Sequence, residues 1–215
     1  YIFFLLLAFA CVNIHAQTAL PPVWQSDTQK EVQVSTRTIA YLPPTRIVWQ
    51  ETTGESSIQG LENLLLPGNG QADLFDGQIT RIKNGAMGKA SFLLDFGREL
   101  QGGIQVVTGR SSKKEMKIRV RFGESVSEAM CDITPENGAT NDHAIRDFYL
   151  TLPWLGVAEI GNSGFRFVRI DLEEPDAELS LKEIRATFGY RDIPYLGSFK
   201  CDNERLNDIW MTGAY

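Results

Sequence analysis

Residues 164–172, GFRFVRIDL, decide the predicted fold because apolar side chains fall on both faces of a predicted β-strand. Phe165 and Phe167 lie on one face of this strand, and Val168 and Ile170 lie on the other. A strand with two apolar faces is expected at the centre of a layered β-structure. Arg166 or Arg169 must then reach a carboxylate or the solvent, because an unpaired buried guanidinium costs about 3 to 5 kcal/mol.

Similar segments recur on both sides of residues 164–172 and predict an all-β protein. They are residues 32–39, 46–51, 89–96, 103–109, 116–123, 144–152 and 179–190. β-Branched and aromatic residues fill these segments, and Gly, Pro, Asn and Asp separate them. Because almost no helix-period signal precedes Asp202, the predicted fold is an antiparallel β-sandwich, jelly-roll-like in character.

The last stretch, DNERLNDIWMTGAY at residues 202–215, has the pattern of an amphipathic helix. Asp202 is the predicted N-cap, because its side chain can accept hydrogen bonds from the first helical amides. One face carries Leu206, Ile209, Trp210 and Gly213 at helical spacing. Since no capping glycine, basic last turn or proline marks a helix end, we expect this apolar face to pack against protein beyond Tyr215.

The first residues predict export. The apolar run from Tyr1 to Val12 is too short to span a bilayer as a helix, which needs about 20 residues, but it suits a secretory signal. Cleavage is expected after Ala16, which leaves Gln17 as the first mature residue. Lipidation of Cys11 is the alternative, and it would anchor the product to a membrane. The expected location is therefore periplasmic or extracellular, or on the outer membrane if the protein is a lipoprotein.

Charge and its distribution exclude a nucleic-acid partner. The net charge is -6, and the one basic stretch is RSSKKEMKIRVR at residues 110–121. Within it, Lys117, Arg119 and Arg121 alternate with apolar residues, which is typical of a strand with one solvated face. A protein that neutralises phosphates would need a larger Lys/Arg cluster.

Two cysteines, Cys131 and Cys201, remain once the signal is removed, and they leave two states open. An oxidising compartment would allow a disulfide, but sequence does not show the geometry that a disulfide needs, and two free thiols are the alternative. A zinc site is not expected, because His143 is then the only histidine. No metal and no cofactor is predicted.

The longest predicted non-strand segment, residues 124–141, leads into a small group of polar residues that is the candidate loop site. Asp142, His143 and Arg146 supply an acid, an imidazole and a cation within a few positions. An active site here would need an external nucleophile, and no GxSxG-type elbow is present. The favoured interpretation is that these side chains anchor the loop through hydrogen bonds and ion pairs.

Other side chains could contact a sugar. The tryptophans that could stack on sugar rings are Trp24, Trp49 and Trp154. Carboxylates bunch between two predicted strands, at Asp171, Glu173, Glu174 and Asp176. A glycosidase pair needs two carboxyls that face each other across a sugar, whereas neighbours in a polar turn are mostly solvated. No catalytic pair is therefore assigned.

An ordered set of segments carries a resemblance to a known family. The segments are LLDFGRELQGGIQV (93–106), KIRVRFGESVSEAM (117–130), TNDHAIRDFYLTLPWLG (140–156), EIGNSGFRFVRIDL (159–172) and LGSFKCDNERLNDIW (196–210). Together they resemble the β-sandwich region that precedes the catalytic barrel in exported bacterial α-L-rhamnosidases. The resemblance covers residues 90–215 and depends on the order of the segments.

This resemblance implies three parts in the chain, a signal peptide at 1–16, a β-sandwich at 17–196 and the start of an α/α six-hairpin barrel at 197–215. In that family the barrel supplies the acidic residues for inverting hydrolysis of terminal rhamnose. They would lie beyond Tyr215, so no catalytic residue is assigned in this chain. The implied partners are a rhamnose-containing glycan or glycoside and the barrel itself. The alternative is a non-catalytic carbohydrate-binding or adhesion sandwich.

Overall fold

A computed structural model describes residues 37–72, 74, 77–134 and 146–215. Its strands are β1 (Thr38–Leu42), β2 (Arg46–Thr52), β3 (Ser57–Gln59), β4 (Thr80–Asn84), β5 (Ala90–Thr108), β6 (Glu115–Gly123), β7 (Asp147–Pro153), β8 (Gly156–Leu172) and β9 (Ala177–Tyr190). Its helices are a 3-10 turn at Leu61–Leu65, α1 (Val126–Met130) and α2 (Glu204–Ala214). All the strand pairs among these residues are antiparallel.

Two long strands, β5 and β8, pair with each other and pass through both sheets of a β-sandwich. The front sheet contains β2, the first half of β5, the second half of β8, and then β6 and β7. The back sheet contains the second half of β5, the first half of β8, and β9 with β1, β4 and β3. The predicted antiparallel β-sandwich is therefore confirmed.

The change of sheet occurs where the pairing of β5 with β8 shifts register, between Asp95 and Leu100 and again between Gly102 and Ile104. Gly102 has a φ of 150°, and a Cβ there would lie 2.0 Å from the Thr187 carbonyl oxygen. Only glycine allows the two backbones to approach this closely. Such irregularities bend a strand and increase its twist, which lets β5 serve both layers.

The main core lies between the two sheets, and Phe165 is at its centre. Its ring makes edge-to-face contacts with Phe96 and Phe122, at centroid distances of 5.6 and 5.0 Å. The apolar residues of segment 164–172 are all buried, and they are Phe165, Phe167, Val168, Ile170 and Leu172. The segment lies in β8 between β5 and β6, so the prediction of a central strand is confirmed.

Several predicted boundaries differ from the structure. Residues 89–96 and 103–109 belong to one bent strand, β5, because glycines at its bend keep the chain in the sheet. Strand β8 begins already at Gly156. The short strands β3 and β4 were not predicted, because three to five residues carry too little periodicity. Of the segment predicted at 32–39, residues 32–36 lie outside the described part.

The predicted C-terminal helix is present as α2, but its N-cap is Asn203 and not Asp202. The Asn203 side chain accepts hydrogen bonds from the amides of Arg205 and Leu206, at 3.0 and 3.4 Å. The prediction of Asp202 was wrong because the helix begins at Glu204, which leaves the preceding residue in the capping position. No residue of α2 is buried. Across the described ranges, no helix is long and apolar enough to cross a membrane.

Candidate functional site

Of the three residues predicted for the loop site, only Arg146 belongs to the described part of the chain; Asp142 and His143 lie outside it. Arg146 Nη1 donates to the Glu128 carbonyl oxygen at 2.7 Å, and the Arg146 carbonyl accepts from the Phe122 amide at 2.8 Å. The residue is buried and ties the start of β7 to α1 and β6. These contacts are those of an anchoring residue. The signal residues Ala16, Gln17 and Cys11 also lie outside the described part.

A polar depression lies on the outer face of the front sheet, and we call it the charged cavity. Its volume is about 450 Å³. Its floor is Ser91 on β5, Asp171 and Arg169 on β8, and Arg119 and Arg121 on β6. Strand register brings them together, because Asp171 is paired with both Ser91 and Arg119, and Arg169 with Arg121. The rest of its wall is Glu51, Thr53, Met87, Lys89, Asp132 and Glu173.

Asp171 is the central carboxylate of this cavity. It accepts a hydrogen bond from Arg121 Nη2 at 2.8 Å and one from Arg169 Nε at 2.9 Å. Burial alone would raise its pKa, but hydrogen bonds from Ser91, Arg121 and Arg169 outweigh burial and hold the pKa below its ordinary value. Asp171 therefore stays ionised at neutral pH.

Two expectations from sequence are corrected in this region. Asp171 was assigned to a solvated turn, yet it is buried as an outward-facing residue of β8. Arg121 was assigned to a solvated strand face, yet its side chain is only 3% exposed. The reason is tertiary, since the side chains of Asp132 and Asp171 close over Arg121 from two other parts of the chain. Strand alternation alone does not distinguish a solvated outer face from a covered one.

Asp132 completes the ion-pair network at the mouth of the charged cavity. Its Oδ1 lies 2.9 Å from Arg121 Nη1 and 3.1 Å from Arg119 Nη2. Arg119 also donates to Asp147, with its Nε 2.8 Å from Oδ1. One donor is left over, because the buried Arg121 Nε has no hydrogen-bond partner. Each guanidinium is thus held in place by carboxylates before any ligand enters.

Aromatic side chains lie beside the arginines on the same sheet face. The Arg169 guanidinium stacks on Trp49 at 5.0 Å, and Arg119 lies 5.9 Å from the ring of Tyr149. Trp49 is half-buried, whereas Trp154 is exposed on the turn between β7 and β8. Of the three tryptophans considered for sugar stacking, Trp49 is thus next to the arginines, and Trp24 lies outside the described part.

Residues 191–215, which we call the C-terminal segment, form the second notable surface. Its exposed large apolar residues are Ile193, Tyr195, Leu196, Phe199, Leu206, Ile209, Met211 and Tyr215. Two open clefts of about 650 and 850 Å³ lie between this segment and the end of the sandwich. Trp210 is half-buried in the larger cleft.

Tyr215, directly after α2, attaches this helix to the sandwich. Its hydroxyl donates to the Glu99 carbonyl oxygen at 2.7 Å, and its ring stacks on Phe188 at 6.2 Å. The Arg98 guanidinium lies 5.5 Å above the same ring. Near this anchor, repulsion from Glu99 is the main cause that raises the pKa of the Glu124 carboxyl, and burial of that carboxyl adds to the effect.

The two cysteines in the described part of the chain, Cys131 and Cys201, are free thiols, and each is half-buried. Cys131 Sγ lies 3.4 Å from the Asp132 carbonyl oxygen, and Cys201 Sγ lies 3.5 Å from that of Asn203. Of the two states that the sequence left open, the structure therefore has the free thiols. Within the described ranges, no group of three or more His, Cys, Asp or Glu side chains is arranged to hold a metal ion.

Comparison with solved structures finds partial similarity to larger proteins and to small modules. The chain is similar to a rhamnosidase from Klebsiella oxytoca with rhamnose bound, at a TM-score of 0.55 and 13% identity, over 80% of this chain and 33% of that one. A GH78 family rhamnosidase of Bacillus sp. GL1 gives a TM-score of 0.44 and 20% identity, over 71% of this chain and 14% of that one. A fucose binding module of Streptococcus pneumoniae gives a TM-score of 0.42 and 13% identity, over 68% of this chain and 91% of that one.

The similarity to the Klebsiella protein shows a shared β-sandwich fold. The chain spans about a third of the length of that rhamnosidase and about a seventh of the Bacillus one. No protein-family model matches the sequence, and no curated protein is significantly similar to it.

Proposed function

We propose that this chain is the β-sandwich part of an exported glycoside hydrolase that resembles α-L-rhamnosidases. In this proposal, α2 begins a catalytic α/α barrel, and the catalytic carboxylates lie in that barrel beyond Tyr215. The substrate is a glycan or glycoside with terminal α-L-rhamnose. The sandwich braces the barrel and takes no part in bond cleavage.

The observation that carries the proposal is the uncovered apolar surface of α2. Leu206 and Ile209 are 47% and 58% exposed, although they lie on the one apolar face of the helix. A helix of eleven residues has little stability of its own in water, and packing of its apolar face normally supplies the rest. Such a face in an otherwise well-packed protein is typical of an interface with further protein.

The greater length of the Klebsiella rhamnosidase supports the same view. This chain matches a third of that protein, so two thirds of it have no counterpart here. The order of elements, a sandwich followed by an extended connection and a helix, is the order that the sequence resemblance implies. Fold alone does not define a reaction, so the activity must be tested directly.

The test compares the 215-residue chain with the longer product of the same gene, both assayed on p-nitrophenyl α-L-rhamnopyranoside. The longer product is expected to release rhamnose and the shorter chain none. Turnover by the 215-residue chain, or none by a longer folded product, would contradict the proposal.

A matched pair of variants on α2 tests the bracing role. Ile209→Ser in the longer product should lower its free energy of unfolding by at least about 2 kcal/mol, because a covered isoleucine would be lost. Asp208→Ser, on the opposite face of the helix, should have little effect. Equal effects of the two changes would mean that no protein covers the apolar face.

A carbohydrate-binding or adhesion sandwich is the second candidate, and the charged cavity favours it. This candidate predicts retention of the 215-residue chain on an immobilised glycan and no enzymatic activity in any longer product. The first candidate predicts that activity, whether or not the sandwich also binds sugar.

A further inference from the structure

The charged cavity is a preformed site that the proposed hydrolase function does not require. Its volume of about 450 Å³ falls within the range of about 300–1,000 Å³ that is usual for small-molecule sites. Its floor groups project from three hydrogen-bonded strands, so their positions are fixed by the front sheet. We infer that this cavity binds a neutral sugar, one unit of a glycan chain.

The charge balance of the lining selects a neutral ligand over an anion. The cations are Lys89, Arg119, Arg121 and Arg169, and the carboxylates are Glu51, Asp132, Asp171 and Glu173. The buried guanidiniums are already paired, for example Arg121 with Asp171 at 2.8 Å. An anionic ligand would therefore have to displace a carboxylate or add uncompensated negative charge to the cavity. A hydroxyl-rich ligand adds hydrogen bonds and no charge.

The lining also has the donors and acceptors that sugar hydroxyls need. A hydroxyl both donates and accepts, and guanidinium and carboxylate groups supply these two roles side by side. Arg169 has spare donor capacity, because its Nη1 contacts only the Met130 sulfur, at 3.6 Å, among the described contacts.

Apolar contact comes from the wall of the cavity. The side chain of Met87 is almost fully exposed there, which is unusual for a methionine. A flexible thioether can lie against the C–H face of a sugar ring without a fixed geometry. The Trp49 ring, with its centre 5.0 Å from Arg169 Cζ, helps to hold that guanidinium in place.

The test uses the 215-residue chain with ¹³C-labelled methionine methyl groups, and Met87→Ile assigns the Met87 resonance. The chain is titrated with methyl α-L-rhamnopyranoside, methyl α-D-galactopyranoside and sodium D-galacturonate. At least one neutral glycoside should shift the Met87 methyl to saturation and leave the Met211 methyl on α2 unchanged. The absence of any Met87 shift up to about 50 mM neutral sugar, or tighter binding of galacturonate, would overturn the inference.

Two wall variants test the assignment of the site. Lys89→Ala and Glu51→Ala each remove one exposed hydrogen-bonding group and should raise Kd about 3- to 10-fold. The matched control is Lys83→Ala, an exposed lysine on β4 in the back sheet, which should leave Kd unchanged. Equal effects at Lys83 and Lys89 would overturn the inference. The rhamnosidase proposal is judged separately, by the hydrolysis assay on the longer product.

Discussion

The sandwich and the C-terminal segment differ in how far they bury their side chains. The sandwich buries a large apolar core between its two sheets and pairs its buried charges with one another, as Arg121 and Asp171 do. The C-terminal segment buries no residue of α2 and is attached through the contacts of Tyr215. This difference indicates that the sandwich is stabilised by its own core, whereas α2 depends on contacts outside its own segment. Among the residues that the structure describes, the sandwich has a well-packed core of its own, whereas the segment has a surface that suits further protein.

The largest effect on stability is expected from removing a side chain at the centre of the sandwich core. Phe165→Ala should lower the free energy of unfolding by about 3–5 kcal/mol, because it leaves a cavity between both sheets. Guanidinium denaturation measures the change. Tyr149→Ala, at a side chain 59% exposed on β7, is the control and should change it by no more than about 1 kcal/mol, the size of its exposed contacts with Lys117 and Arg119. Similar losses for both variants would show that the core is not where the sandwich derives its stability.

Acid titration should weaken the sandwich through Asp95. Burial by itself would raise the pKa of this carboxyl, but hydrogen bonds from Arg166, the Gly97 amide and Arg46 lower it from 3.8 to about 2. Because the native pKa is depressed, the stabilisation is present above pH 3.8 and is lost as the pH falls through about 2. Its size is about 2 kcal/mol.

Denaturation of wild type and Asp95→Asn between pH 5 and pH 1.5 would measure this contribution. The wild-type protein should lose stability more steeply than the variant over the window from about pH 4 to about pH 2. Parallel curves for the two proteins would show that the ion pairs at Asp95 do not stabilise the fold.

A smaller effect is expected in the C-terminal segment. Tyr215→Phe removes the hydrogen bond to the Glu99 carbonyl oxygen, which should weaken the attachment of α2 by about 1 kcal/mol. Trypsin should then cleave after Arg205 about fivefold faster, while global unfolding is unchanged. Tyr149→Phe is the matched control. A drop in global stability with Tyr215→Phe would mean that the segment is part of the cooperative core.

The same contrast explains how much of the structure could be predicted. Residues 164–172 have apolar side chains on both faces, and this local pattern is enough to predict a central strand and its layered surroundings. The face of α2 could be predicted for the same reason, since its spacing is contained in one short segment. The charged cavity could not be predicted from any short segment. Arg121 and Asp171 are 50 positions apart in the chain.

Their pairing depends on the register of β6 and β8, which no short window of sequence contains. One weak signal was present. Arg119, Arg121, Arg169 and Asp171 all occupy alternate positions of strands that were correctly predicted. Charges at alternate positions of neighbouring strands can converge on one face, and this could have suggested an ion-pair network on the outer face of the front sheet.

Hydrogen exchange of the α2 amides tests the central claim most directly, because the claim is that further protein covers this helix. The amides of residues 206–211 are compared in the 215-residue chain and in the longer gene product. Coverage by a following domain predicts exchange at least tenfold slower in the longer product, which corresponds to about 1.4 kcal/mol of added protection. Equal exchange rates in the two forms would contradict the account.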